Sequence, residues 1–281
     1  MKNFFAVIYC MLTISTYSQV DLPRISPPAS VSQTIGYTTI IINYCRPAAR
    51  ERKIWGALVP YNQVWRTGAN EATTIQFTND VTVEGNKIPA GRYSLFTIPL
   101  ENKWTIILNK DDKQWGAFNY KQQDDLIRFE VKPRKGVFYE RLQFSFGDVT
   151  DLSASVLMNW ENLEITFKVE SDVYVQAFAK IKEAIALQPD RWQNYTEGAI
   201  YAADNKVFLD EASQWADKAI SFGQDYYPYF VKSKVLFAQD NYKDALNSLI
   251  KCRDIGRTDK NWDTFVAQVD FLEKQIKSLM K

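Results

Sequence analysis

The sequence predicts a β domain plus an all-α domain: an antiparallel, jelly-roll-like β-sandwich, then helical hairpins of tetratricopeptide-like repeats. Three observations carry this. Between residues 38 and 169, apolar and polar residues alternate with period two in roughly ten short runs, with turn residues between them. Near Ser171 the period changes to that of a helix. Beyond it, series of small residues beginning at Ala177, Ala212 and Ala245 start 35 and then 33 residues apart. That spacing is near the repeat of about 34 residues typical of stacked two-helix units.

Taken in order, the elements begin after a targeting segment. Lys2, the apolar run 4–14 and the small-x-small site Thr16-Tyr17-Ser18 read as a secretory signal peptide over residues 1–18. Residues 21–30 carry three prolines and read as an extended lead-in. Thr38, Ile40, Ile42 and Tyr44 alternate with Thr39, Ile41 and Asn43, so a strand is expected there, ended by Arg46-Pro47. Residues 46–71 have no period, and 48–58 is long enough to hold a short helix. Connections of that length in compact domains are usually functional or packed on themselves.

From residue 73 the β pattern resumes. Residues 81–84 and 87–89 flank Gly85-Asn86, which suits a two-residue II′ turn. Residues 92–98 are nearly all apolar, as in a strand covered on both faces. Further strands are expected over 104–109, 127–131 and 142–146, and over 156–160 and 163–169 with a turn at Glu161-Asn162. In the last third, Ala177, Ile181 and Ala184 share a helix face stopped by Pro189. Ala212, Ala216, Ala219 and Ala245, Leu249, Cys252 repeat that face, and residues 262–280 form a closing helix. The expected organisation is a signal peptide (1–18), a β-sandwich domain (19–170) and a helical repeat domain (171–281).

Composition narrows the chemistry. The 281 residues are 46% hydrophobic and 24% charged, which suits two globular domains with real cores. A net charge of +1 argues against nucleic acid as a partner. No apolar run in the mature chain is long enough to span a bilayer as a helix. The chain has no histidine, which removes Ser-His-Asp and Cys-His catalysis and most zinc sites. Cys10, Cys45 and Cys252 form no CxxC pair, and the latter two are expected as buried free thiols. Asp111, Asp112, Asp124 and Asp125 lack calcium-loop spacing, so no metal and no cofactor is assigned.

Four segments carry a family likeness: RISPPASVSQTIGYTTIIINYCRP (24–47), VPYNQVWRTGANEATTIQF (59–77), VTVEGNKIPAGRYSLFTIP (81–99) and WGAFNY (115–120). With them, residues 23–169 resemble the bacterial secreted family known as domain of unknown function 2911. The resemblance implies an exported domain, often joined to helical repeats, in the periplasm or outside the cell. It brings no catalytic residues.

The candidate site is the connection that leads into the strand at residue 73. Arg46, Arg66, Asn70 and Glu71 offer guanidinium forks, an amide and a carboxylate for a small polar or sugar-like ligand. The plainer reading is a structural network in which Glu71 and an arginine satisfy each other and tie the connection to the sheet, and ligand binding is the sharper alternative. Tyr61, Trp65 and Trp115 are the aromatic candidates for stacking, although most rings in a sandwich belong to the core. Acids with no obvious pairing, such as Glu71 and Asp148, leave a glycan hydrolase as an alternative. The reading is a non-catalytic ligand-binding or protein-interaction module, the helical repeats facing a protein or peptide. A structural envelope component is a third alternative.

Overall fold

The protein is described by a computed structural model covering residues 22–223 and 225–280. The expected signal peptide and Cys10 lie outside the described residues. Ten strands are seen among them: β1 (Pro28–Ile35), β2 (Thr38–Cys45), β3 (Thr74–Phe77), β4 (Val81–Val83), β5 (Asn86–Ile88), β6 (Gly91–Pro99), β7 (Trp104–Asn109), β8 (Asp125–Val131), β9 (Arg134–Gly147) and β10 (Ser153–Ser171). A six-stranded sheet has the order β1-β2-β3-β6-β7-β8, and a four-stranded sheet the order β5-β4-β10-β9. Every pairing is antiparallel.

The two sheets bury one apolar layer between them. Ile40, Ile42, Ile75, Phe77, Leu95, Trp104 and Ile106 come from the large sheet; Val83, Leu142, Phe144, Val156, Met158 and Phe167 face them from the small one. The period-two alternation predicted this layer, because alternate residues of a strand share a face. β6 is covered on both sides, as its apolar run requires. Tyr93 and Leu95 point into the sandwich, while Phe96 joins Ala72 and Ile107 in a smaller cluster on the outer face.

Four expectations are corrected. β1 begins at Pro28, inside what reads as a lead-in, and runs on to Ile35; only its first residue is a proline, at the edge of the sheet, where a missing N–H is tolerated. The β4–β5 turn is Glu84-Gly85, one residue earlier than Gly85-Asn86. Both turn residues have positive φ, 45° and 79°, the I′ pattern that matches strand twist. Glu161-Asn162 does not break a strand. β10 runs through it, with Glu161 at φ 55° and the register to β9 shifting on either side, so it is a bulge. Residues 48–58 form turns and isolated bridges, not a helix.

Six helices follow: α1 (Val173–Leu187), α2 (Trp192–Asn205), α3 (Leu209–Ile220), α4 (Tyr227–Ala238), α5 (Tyr242–Gly256) and α6 (Trp262–Leu279). They pack as hairpins, α2 on α3 and α4 on α5. The alanines explain the close approach: Ala212, Ala216 and Ala245 are fully buried where helices meet. At Gly198 a Cβ would lie 2.5 Å from Ile181 and 3.1 Å from Trp215, so α2 can nestle between α1 and α3 only with glycine there. α1 docks on the β1–β2 turn, where Gly36 (φ 55°) leaves room for Val173, and Thr38 and Ser171 share a hydrogen bond of 2.7 Å. Among the described residues, no helix is long and apolar enough to cross a membrane.

Candidate functional site

Residues 46–73 wrap one end of the sandwich, and tryptophans hold them there. Trp55 and Trp65 from this connection meet Trp104 of β7 and Trp160 of β10, with ring centroids 4.9–6.3 Å apart. Trp65 stacks on Trp160, and its indole N–H donates to the Gly68 carbonyl at 3.1 Å. Its backbone exchanges two hydrogen bonds with Thr97 of β6. Beyond Trp65 the chain turns tightly, with Thr67 and Asn70 at φ 54° and 58°. The Thr73 hydroxyl donates to the Thr67 carbonyl, and the Asn70 amide donates to the Ser26 carbonyl. Glu71 then pairs with Trp115 in an isolated antiparallel bridge.

The chain from Arg66 to Glu71 separates two clefts. The first, about 430 Å³, opens on the outer face of the large sheet. Arg24 donates from Nη1 to both oxygens of Glu71 at 2.9 Å, and the Cys45 thiol donates to the same carboxylate at 3.5 Å. Burial pushes the Glu71 carboxyl up, but its own backbone N–H, Arg24 and Cys45 outweigh this and hold it below the usual carboxylate value. Burial raises the Cys45 thiol, so it faces Glu71 as a neutral donor. Arg92 closes the far side, 3.5 Å from Asp112.

The floor of this cleft follows from strand register. Ser30 pairs with Asn43, Asn43 with Thr74, Thr74 with Ser94, Ser94 with Asn109, and Asn109 with Asp125. A single polar row therefore crosses all six strands on the outer face. Toward β8 it is bonded within itself: the Asn109 amide donates to Asp125 at 2.8 Å, the Gln114 amide donates to Asn109 at 3.1 Å, and Tyr120 donates to Asp125 at 2.7 Å. Burial and that bond to Asp125 push the Tyr120 hydroxyl up to about 12. In mid-sheet the row is unsatisfied. The hydroxyls of Thr74 and Ser94 are buried with no partner in the protein; at the β8 end the side-chain carbonyl oxygen of Gln114 is in the same state. Such a group costs about 1–3 kcal/mol when left unpaired, and Thr74 lines the cleft.

The second cleft, about 370 Å³, holds Arg66 together with Arg50, Arg52, Trp65 and Trp160. The Arg66 Nε is buried without a hydrogen-bond partner. Burial lowers its guanidinium below the usual value, and no carboxylate acts on it.

The predicted residues are thus divided. Glu71 lines the first cleft, Arg66 and Trp65 the second, and Asn70 lines neither. The arginine that satisfies Glu71 is Arg24, not Arg66 or Arg46. Arg46 donates from Nε to the Leu142 carbonyl at 2.9 Å and ties β2 to β9. Tyr61 packs over Gly56, whose positive φ and absent Cβ make room for the ring. Trp115 is 57% exposed beside Glu71. Cys45 and Cys252 are both free and buried. Sequence reasoning missed Arg24, Arg92, Thr74 and Ser94. Arg24 lies 47 residues from Glu71, and the polar row is visible only once the register is known.

Fold and site together define a class: an antiparallel sandwich bearing helical hairpins, with paired clefts on one end and outer face. Residues 26–169 match the family described as "Protein of unknown function (DUF2911)", and the chain belongs to that family. No curated protein matches the chain.

Proposed function

We propose that the protein is an exported, non-catalytic binding module whose first cleft takes a small, uncharged, polyhydroxylated ligand. The carrying observation is the Thr74 hydroxyl, buried, unpartnered and lining the cleft beside Ser94 in the same state. Ligand hydroxyls both donate and accept, so they suit a floor of Ser30, Asn43 and Thr74. Arg24 and Glu71 add a donor and an acceptor side by side while neutralising each other, which favours a neutral ligand. Trp115, exposed next to Glu71, supplies an apolar face on which a sugar ring stacks. Export is read from Lys2, the apolar run 4–14 and the Thr16-Tyr17-Ser18 site. In this reading the helical hairpins carry a protein contact, which their stacked build suits.

Hydrolysis of a glycan is the competing reading, and it needs two carboxyls across the bond. Glu71 is the one acid lining this cleft among the described residues, and it is bound by Arg24; Asp112 stands behind Arg92. A melting-temperature screen with neutral saccharides tests the proposal, since a ligand that binds only the native state raises the transition. The expected result is a rise with at least one neutral saccharide, lost in both Thr74→Val and Trp115→Ala. No rise with any saccharide defeats the proposal and favours a structural envelope role. Release of reducing sugar, lost in Glu71→Gln, would favour the hydrolase instead.

A further inference from the structure

We infer that the cavity around Arg66 is a separate binding site, for a small organic carboxylate with an apolar body. Its charge is one-sided. Arg50, Arg52 and Arg66 line it, and no acidic residue among those described does. Neighbouring arginines are occupied by the fold: Arg52 donates to the Ala48 and Ala49 carbonyls, Arg46 to Leu142, and Arg141 to Ile25 and Arg46. Arg66 is different. Its Nε is buried with no partner, and no carboxylate lines the cavity beside it. Arg66 is half-buried, and a buried guanidinium nitrogen is normally paired, so the missing counter-charge is one that the protein itself does not provide.

Shape and chemistry specify the class. A guanidinium presents its donors as a planar fork that matches the two oxygens of a carboxylate. Apart from Ser26, the rest of the wall is apolar, with Pro47, Leu58, Val59 and the stacked pair Trp65 and Trp160. A volume of about 370 Å³ is at the small end of ligand pockets and admits a ring or short chain beside the charged head. Trp65 and Trp160 are themselves fixed by the tryptophan cluster, so the wall is rigid before any ligand arrives.

Calorimetric titration of the full chain with benzoate, phenylacetate, benzamide and inorganic phosphate tests the inference. Benzoate or phenylacetate should bind at least about tenfold more tightly than benzamide, which has the same shape without the charge, and binding should weaken as salt rises. Arg66→Met should remove carboxylate binding while leaving the unliganded melting temperature unchanged or higher, because nothing in the fold uses this guanidinium. Benzamide binding as tightly as benzoate, or phosphate binding while neither carboxylate does, overturns the inference. So does a wild type that binds no carboxylate, or an Arg66→Met variant that keeps carboxylate binding. The neutral-saccharide screen repeated on Arg66→Met separates the two sites: its response should match the wild type whichever way the carboxylate titration falls.

Discussion

The two clefts flanking residues 66–71 hold the same chemical group in opposite conditions. On one side Arg24 meets both oxygens of Glu71, about half of each side chain still in water. On the other, Arg66 is partly buried with its Nε unpartnered and no acid acting on it. The first arrangement is complete within the protein. The second is complete only with an anion from outside. Charge that a fold satisfies tells little about function, because structural pairs arise wherever burial demands them. Charge that a fold leaves unsatisfied is informative, since its desolvation cost is otherwise unreturned. The polar row across the large sheet makes the same point at the level of hydroxyls, with Asn109 bonded to Asp125 near β8 and the hydroxyls open at β3 and β6.

The comparison depends on a rigid connection between the clefts, so the largest expected effect comes from loosening it. Trp65→Ala removes a ring 8% exposed that stacks on Trp160 and closes against Trp104. It should cost about 3–5 kcal/mol in urea denaturation. A loss under about 1 kcal/mol would mean that the tryptophan cluster does not fix this chain. Arg66→Met should move the other way, neutral to stabilising by about 1 kcal/mol without ligand. A clear loss of stability in that variant would erase the contrast between the flanks.

Glu71→Gln should have a smaller effect, lowering the melting temperature by no more than about 3 °C, because the ion pair is half exposed. Its pH dependence has a definite sign. The folded Glu71 is held below the ordinary carboxylate value, so its contribution is fully present above the unfolded value. It is lost as pH falls through the lower, folded value. The wild type should therefore lose more stability than Glu71→Gln on acidification, and the two curves should converge at low pH. Parallel curves would show that Arg24 does not stabilise the Glu71 carboxylate.

Much of this molecule is legible in its sequence, for identifiable reasons. Alternation exposed the core strands, because a half-buried strand must sort its side chains by face. The alanine series exposed the helical hairpins, because helices approach closely only over small residues. β1 escaped because Ser30, Ser32 and Gln33 give an edge strand little apolar contrast. The connection around residue 65 was recognisable as special from its aromatic and charged content. Its division into two clefts was not, because that depends on Arg24 and on a cross-sheet register that no local pattern encodes.

The distinction between compensated and uncompensated groups extends to the backbone, where it can be tested with the smallest expected effect. Glu84 and Glu161 both take positive φ, 45° and 55°, a region that costs a non-glycine residue about 1–2 kcal/mol. Glu84 has a compensation: its carboxylate accepts from the Lys168 backbone N–H at 2.6 Å, and its own N–H donates to the Lys168 carbonyl. At Glu161 the conformation is imposed by the β10 bulge. Glycine relieves the strain at both positions but adds about 0.5–1 kcal/mol of unfolded-chain entropy. Glu161→Gly should therefore be neutral or slightly stabilising. Glu84→Gly should be less stable than Glu161→Gly by about 0.5–1.5 kcal/mol, the worth of one hydrogen bond. Chemical denaturation of the pair decides it: equal effects would mean that the Glu84 carboxylate contributes nothing to its turn, and that an isolated compensating contact is not a guide to strain in this fold.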